Sequence, residues 1–262
     1  MISIPFSRMR ACVLFAFVLA MSACAQQGES VSRSGGVFDP YEQSNRKTHE
    51  FNKGLDRAIV RPASTGYTTI VPDEIEQSIG NFAENLSMPS VTVNALLQGD
   101  LRTAGVATSR FLINSVLGIG GLFDVSSDFG IEEADTDFGE TLHVWGASEG
   151  AYIELPVLGP STARDTVGTV VDIFTNPLTY VLPSPEEYYG TAASVASRLG
   201  DRGRFTDTVD AILYESADSY AQLRLIYLQS RRFELSGDDS DAFVDPYEDE
   251  IFPDPYEDPY AE

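Results

Sequence analysis

Along the middle of the chain apolar residues recur at spacings of three and four. Ile75, Ile79, Phe82, Ala83 and Leu86 follow this pattern. Ala163, Val167, Val170, Val171 and Phe174 repeat it, with Arg164, Asp165 and Asp172 opposite. This is the period of one α-helical face. Phe205, Val209, Ile212, Leu213, Tyr220, Leu223 and Tyr227 predict a single long helix of about 40 Å at 1.5 Å per residue, with Arg231 and Arg232 at its C-terminal end. Helix starts are also visible. Asp39-Pro40-Tyr41-Glu42 places Asp as N-cap, Pro first and Glu three residues after the cap. Val71-Pro72-Asp73-Glu74 sets acids against the positive end of a helix dipole. Strand-like alternation is nearly absent, with Tyr152 to Val157 the best exception. The predicted fold class is all-α, built from short amphipathic helices.

Two stretches lack charge altogether, one between Arg110 and Asp124 and one between Asp172 and Glu186. The first carries Phe111, Leu112, Val116, Leu117, Ile119, Leu122 and Phe123, interrupted by Gly118, Gly120 and Gly121. The second holds Leu178 and Tyr180 and is broken by Pro177 and Pro183. Both fall short of the roughly 20 residues that a spanning helix needs. Two readings fit: a buried core hairpin, or a re-entrant or interfacial segment held at membrane depth by the rest of the protein.

The ends of the 262-residue chain read differently from its body. Met1 to Ala23 has a basic start at Arg8 and Arg10 and an apolar run from Ala11 to Met21, the pattern of a signal peptide. Met21-Ser22-Ala23-Cys24 then resembles the lipobox of bacterial lipoproteins, with Met21 in place of the usual Leu. In such proteins the Cys24 thiol is diacylglycerated, the leader is cut and the new amine is acylated. Cys12 leaves with the leader, so the mature chain holds one cysteine and can form no internal disulfide. Acyl chains supply about 0.8 kcal/mol per buried CH₂, which anchors a protein without a spanning helix. Residues 24–37 form a Ser/Gly-containing tether. Residues 233–262 carry twelve acids, no Lys or Arg, and repeated Asp-Pro-Tyr, a composition that predicts an acidic disordered tail.

With 40 acidic against 17 basic residues the formal charge is −23, which argues against nucleic acid as a partner. Two His and two Cys are too few for a zinc cluster. Gly146-Ala147-Ser148-Glu149-Gly150 matches a nucleophile elbow, but His49 and His143 both precede Ser148, so the hydrolase order of Ser, acid, His is impossible. Gly118, Gly120 and Gly121 do not complete a dinucleotide fingerprint. Glu132, Glu133, Asp135, Asp137 and Glu140 lack EF-hand spacing and read as a solvated loop. No catalytic residue, metal site or cofactor is expected.

The order of short motifs resembles the MlaA family, also called VacJ. The matching residues include Asp39-Pro40, Asn45-Arg46, Phe51-Asn52, Arg61-Pro62, Val71-Pro72, Asn85-Leu86, Leu97-Gln98-Gly99 and Arg110-Phe111. Gly118 to Asp124, Asp137-Phe138-Gly139, Leu155-Pro156, Gly159-Pro160-Ser161 and Arg164-Asp165 follow in register, so that residues 38–232 form the family-like domain. The chain departs from the family at Gln43-Ser44, where Gly-Phe is common, and at Thr48 and His49, where larger apolar residues are common. The resemblance implies a ring of short helices lying in or on the outer membrane of a Gram-negative bacterium, without a spanning helix. It implies a lipoprotein anchored on the periplasmic side that withdraws mislocalised phospholipid from the outer leaflet through an amphipathic channel. The implied partners are phospholipids, outer-membrane porin trimers and a periplasmic phospholipid-binding carrier. Phe111, Leu112, Val116, Leu117, Ile119, Leu122, Phe123, Leu178 and Tyr180 are the expected membrane-depth residues. A tethered structural or adaptor lipoprotein, without transport, is the alternative.

Overall fold

The computed structural model describes residues 37–236. The leader, Cys24, most of the tether and the Asp-Pro-Tyr repeats lie outside the described residues. Helix α1 (Glu42–Leu55) runs through a π-turn at Asp56–Val60 into α2 (Arg61–Ile70). The long α3 (Asp73–Gln98) and α4 (Leu101–Val116) follow, then the single turn α5 (Val125–Asp128) and α6 (Phe138–Val144). A hairpin of β1 (Tyr152–Leu155) and β2 (Gly159–Thr162) pairs Tyr152 with Thr162 and Leu155 with Gly159. It leads into α7 (Ala163–Thr175) and the short α8 (Leu178–Val181). The chain ends in α9 (Tyr189–Arg204), α10 (Thr206–Asp210) and α11 (Ser219–Ser236). Apart from one small hairpin the described fold is helical, as the periodicity predicts.

Local chemistry explains most boundaries. Gly99 ends α3 in the left-handed region (φ 79°), and the Asp100 carboxylate then caps α4 by accepting from the N–H groups of Arg102 and Thr103 at 3.0 Å. Asp137 and Thr162 cap α6 and α7 in the same way. The main packing runs α3 against α4 and α9, α9 against α2, and α6 against α7. At the last crossing a Cβ on Gly168 would lie 2.3 Å from the Gly139 backbone nitrogen, so only glycine lets these two helices approach so closely.

Three expectations change. The predicted long C-terminal helix is interrupted: after α10 a π-turn spans Ala211–Glu215, Ser216 is extended (ψ 150°), and α11 starts afresh behind Asp218, which accepts from the Ala221 N–H at 3.1 Å. This helix continues to Ser236, so residues 233–236 belong to it rather than to the tail, and Arg231 and Arg232 lie within it. Asp39 does not cap α1. Its carboxylate accepts instead from Asn45 at 2.9 Å and from Tyr220 and Arg224 of α11, because a charged partner within reach outweighs a cap on an exposed helix start.

Candidate functional site

Polarity in the described body is turned inside out. The buried apolar residues are few and mostly small: Met88, Val91, Ala107 and Ala134 form one cluster, and Tyr152, Tyr220 and Leu228 another. Much of the remaining interior is polar. Helix α3 buries Glu76, Asn85 and Asn94, whereas Ile75, expected on its core-facing stripe, is exposed.

Buried polar groups are tolerable only when they are paired. Arg110, 1% exposed, meets this condition from α4 at both terminal nitrogens, though its Nε has no partner. It donates to the Ile131 carbonyl at 2.8 Å, to Asp124 at 3.0 Å and to Glu84 at 3.1 Å. Asn114 donates to Asp124 at 2.9 Å and accepts from the Ser126 backbone at 2.9 Å. Burial pushes the Asp124 carboxyl up, but hydrogen bonds from Ser127 and Asn114 and the Arg110 charge outweigh it and hold the group below its ordinary range. Arg110 and Asp124 are the residues that bracket the first uncharged stretch. Their contact closes residues 111–123, the last turns of α4 and the glycine turns that follow, into a loop-like segment.

A second knot joins the first and last helices through the hairpin. Asn45 donates to the Tyr152 carbonyl at 3.0 Å and accepts from the Glu154 N–H at 3.1 Å. His49 Nε2 lies 3.0 Å from Ser219 Oγ and its Nδ1 lies 3.5 Å from Glu154 Oε1. The order Ser, His, carboxylate is that of a hydrolytic triad. Yet Ser219 does not line the small cavity, about 220 Å³, that His49 and Glu154 border, and His49 Nδ1 has no hydrogen-bond partner. Ser148 sits in the turn after α6, beside His143, whose Nδ1 faces the Arg164 guanidinium at 3.3 Å. Burial, then the Arg164 charge, lowers the His143 pKa.

The closed loop presents apolar groups outward. Leu112, Val116 (75% exposed), Leu117, Ile119 (67% exposed), Leu122 and Phe123 are exposed, and so is Tyr180. Phe111 instead packs on the Met88 cluster, and Leu178 is half-buried. The loop keeps its shape through its backbone. Gly120 and Gly121 donate to the Ser115 and Asn114 carbonyls at 2.9 Å, and Phe123 donates to Gly118 at 3.0 Å. A Cβ on Gly121 would collide with Asn85 at 2.6 Å. The reading of this stretch as a buried hairpin is therefore overturned. Ile173, Phe174 and Val181 extend the exposed apolar set around the second uncharged stretch. Among the described residues no helix is long and apolar enough to cross a membrane; α3 has the length but is too polar.

A solvent-open cavity of about 960 Å³, with charged and polar side chains in its walls, lies between α3, α9 and the loop at Asp135. Asp73, Gln77, Gly80, Glu84 and Ser87 line it from α3, and Ser194, Ser197, Arg198, Asp201 and Arg204 from α9. Sequence reasoning missed this wall although its signal was present. Both sets recur at three- and four-residue spacing, and each looks like an ordinary solvent face until the two are seen to oppose one another. Glu84 has its pKa raised by burial, which the Arg110 charge opposes. Asp135 is raised by burial in the wall and by its acidic neighbours Asp137 and Glu234. Among the described residues no group of acids, His or Cys is arranged to hold a metal.

Known proteins resemble this chain in sequence and fold. The family model described as MlaA lipoprotein matches residues 37–234. A protein of Escherichia coli named as the intermembrane phospholipid transport system lipoprotein MlaA is 33% identical over 222 residues, covering 83% of each chain. Its namesake from Haemophilus influenzae is 30% identical over 224 residues, covering 83% of this chain and 87% of that protein. An uncharacterized protein of Rickettsia typhi is 36% identical over 189 residues, covering 72% of this chain and 74% of its own. A solved structure described as "Structural basis for maintenance of bacterial outer membrane lipid asymmetry" superimposes with a TM-score of 0.63 at 31% identity, over 73% of this chain and 96% of that one.

Proposed function

Because this chain belongs to the MlaA lipoprotein family, we propose that it serves intermembrane phospholipid transport, withdrawing phospholipid from the outer leaflet of the outer membrane. The observation that carries this reading is the split in polarity: a solvent-open cavity with charged walls between α3 and α9, and a set of exposed apolar side chains elsewhere, with no helix among the described residues fit to span a bilayer. Moving a charged head group through hydrocarbon is costly. Helices with polar inner faces give the head group a hydrated path while the acyl tails stay in lipid. Such a protein needs breaks at Gly and Pro, polar knots that hold shape without a large apolar core, and no nucleophile or metal.

In this reading Cys24 carries diacylglyceryl and N-acyl groups that anchor the chain to the periplasmic side of the outer membrane, and no other cofactor is used. Leu112, Val116, Leu117, Ile119, Leu122, Phe123 and Tyr180 contact lipid directly, and Phe111 and Leu178 support them. Outer-membrane porin trimers hold the protein at depth, and a periplasmic phospholipid-binding carrier receives the lipid. The test is to label surface-exposed phospholipid in a strain lacking the gene. Loss raises the label, wild type restores the low level and Cys24→Ala does not. Unchanged surface phospholipid in the deletion strain would overturn transport in favour of a tethered adaptor.

A further inference from the structure

The charges in the wall of the larger cavity are not evenly matched. Glu76 is held by Arg204, and Glu84 by Arg110. Asp73 and Asp135 form no ion pair with the described residues. One cation is also left over. Arg198, exposed on α9 and lining the cavity, makes no hydrogen bond or ion pair with any described residue. The other arginine of this wall, Arg204, is committed to Glu76.

A free guanidinium offers a planar fork of donors that matches two oxygens of a phosphate. In a wall otherwise rich in carboxylates it is the single place where a phosphate is welcome. The surrounding acids repel a net anion and attract an ammonium group. A head group whose phosphate is followed by an amine satisfies both features, whereas a phosphate followed by an uncharged alcohol satisfies only one. A cavity of about 960 Å³ lies at the upper end of the roughly 300–1,000 Å³ that ligand sites usually occupy.

We infer that Arg198 grips the lipid phosphate in this cavity, and that the acidic wall makes the passage selective for zwitterionic over anionic phospholipids. The inference rests on the transport reading above. It is tested on the full acylated lipoprotein, equilibrated with mixed micelles of equal amounts of phosphatidylethanolamine and phosphatidylglycerol, with bound lipid counted by native mass spectrometry. Wild type retains phosphatidylethanolamine in clear excess. Arg198→Glu loses about tenfold in bound lipid, the size expected for a charge-assisted contact, and Arg198→Lys keeps most of it. All three give the same helical circular dichroism, because the exposed side chain makes no hydrogen bond or ion pair with any described residue. Equal binding of both lipids by wild type, or undiminished binding by Arg198→Glu, overturns the inference. Complementation separates the two failures. If wild type clears surface phospholipid and Arg198→Glu clears it equally well, only the role of Arg198 falls. If wild type does not clear it, the transport reading itself fails.

Discussion

The knot around Arg110 and the loop it closes are neighbours in sequence and opposites in chemistry. In the knot a guanidinium 1% exposed to solvent has donors on three acceptors at 3.1 Å or less. In the loop Val116, Leu117 and Ile119 stand exposed. A protein designed for water alone would exchange the two environments. Their pairing shows how this one keeps its shape: interior polar groups supply the order that an apolar core usually supplies, and the apolar residues are released to meet an apolar surrounding.

Four experiments press on this contrast. Removing the knot has the largest effect. Arg110→Ala leaves Glu84, Asp124 and the Ile131 carbonyl without their shared donor, which costs about 1–3 kcal/mol, since both carboxylates are partly exposed. Chemical denaturation of the detergent-solubilised protein should show it. Altering the loop should leave stability alone and change location instead. Asp at Leu112, Ile119 or Leu122 should release a Cys24→Ser variant from membranes with helicity intact, and unchanged retention would count against lipid contact there.

A smaller effect is expected at the surface. The hydrogen bond from Arg46 lowers the Asp218 pKa to about 2, against a smaller upward push from burial. A depressed carboxyl contributes stability above its ordinary pKa of about 4 and loses it as pH falls through 2. Both partners are partly exposed, so the contribution stays below about 1 kcal/mol. Asp218→Asn should therefore melt with a shallower pH dependence between pH 4 and 2 than wild type. Ser148→Ala should have no effect on clearance of surface phospholipid, since Ser148 occupies a turn; loss of function there would revive a hydrolytic reading.

What the sequence made legible was whatever is decided locally. Helical periodicity, the stop and start at Gly99 and Asp100, and the glycine breaks after Asn114 all depend on neighbours a few residues apart. The interior was hidden for two reasons. An amphipathic pattern shows that a helix has two faces but not which one turns inward, and on α3 the inward choice includes Glu76, Asn85 and Asn94. The partners of buried polar groups are also remote. Asn45 meets Tyr152 across 107 positions, and Asp39 meets Arg224 across 185. His49, one of the departures from the family pattern, makes sense only once Ser219 and Glu154 are seen beside it. The break before α11 was readable: Asp218 followed by Ser219 is a plain helix start, masked by apolar spacing that ran through it.

The contact of Asp39 with Tyr220 and Arg224 fastens the beginning of the body to its end, much as a buckle closes a belt. The Arg46–Asp218 ion pair and the His49–Ser219 contact lie along the same seam, so losing that one carboxylate should slacken the closure at its outer end while the inner contacts still hold.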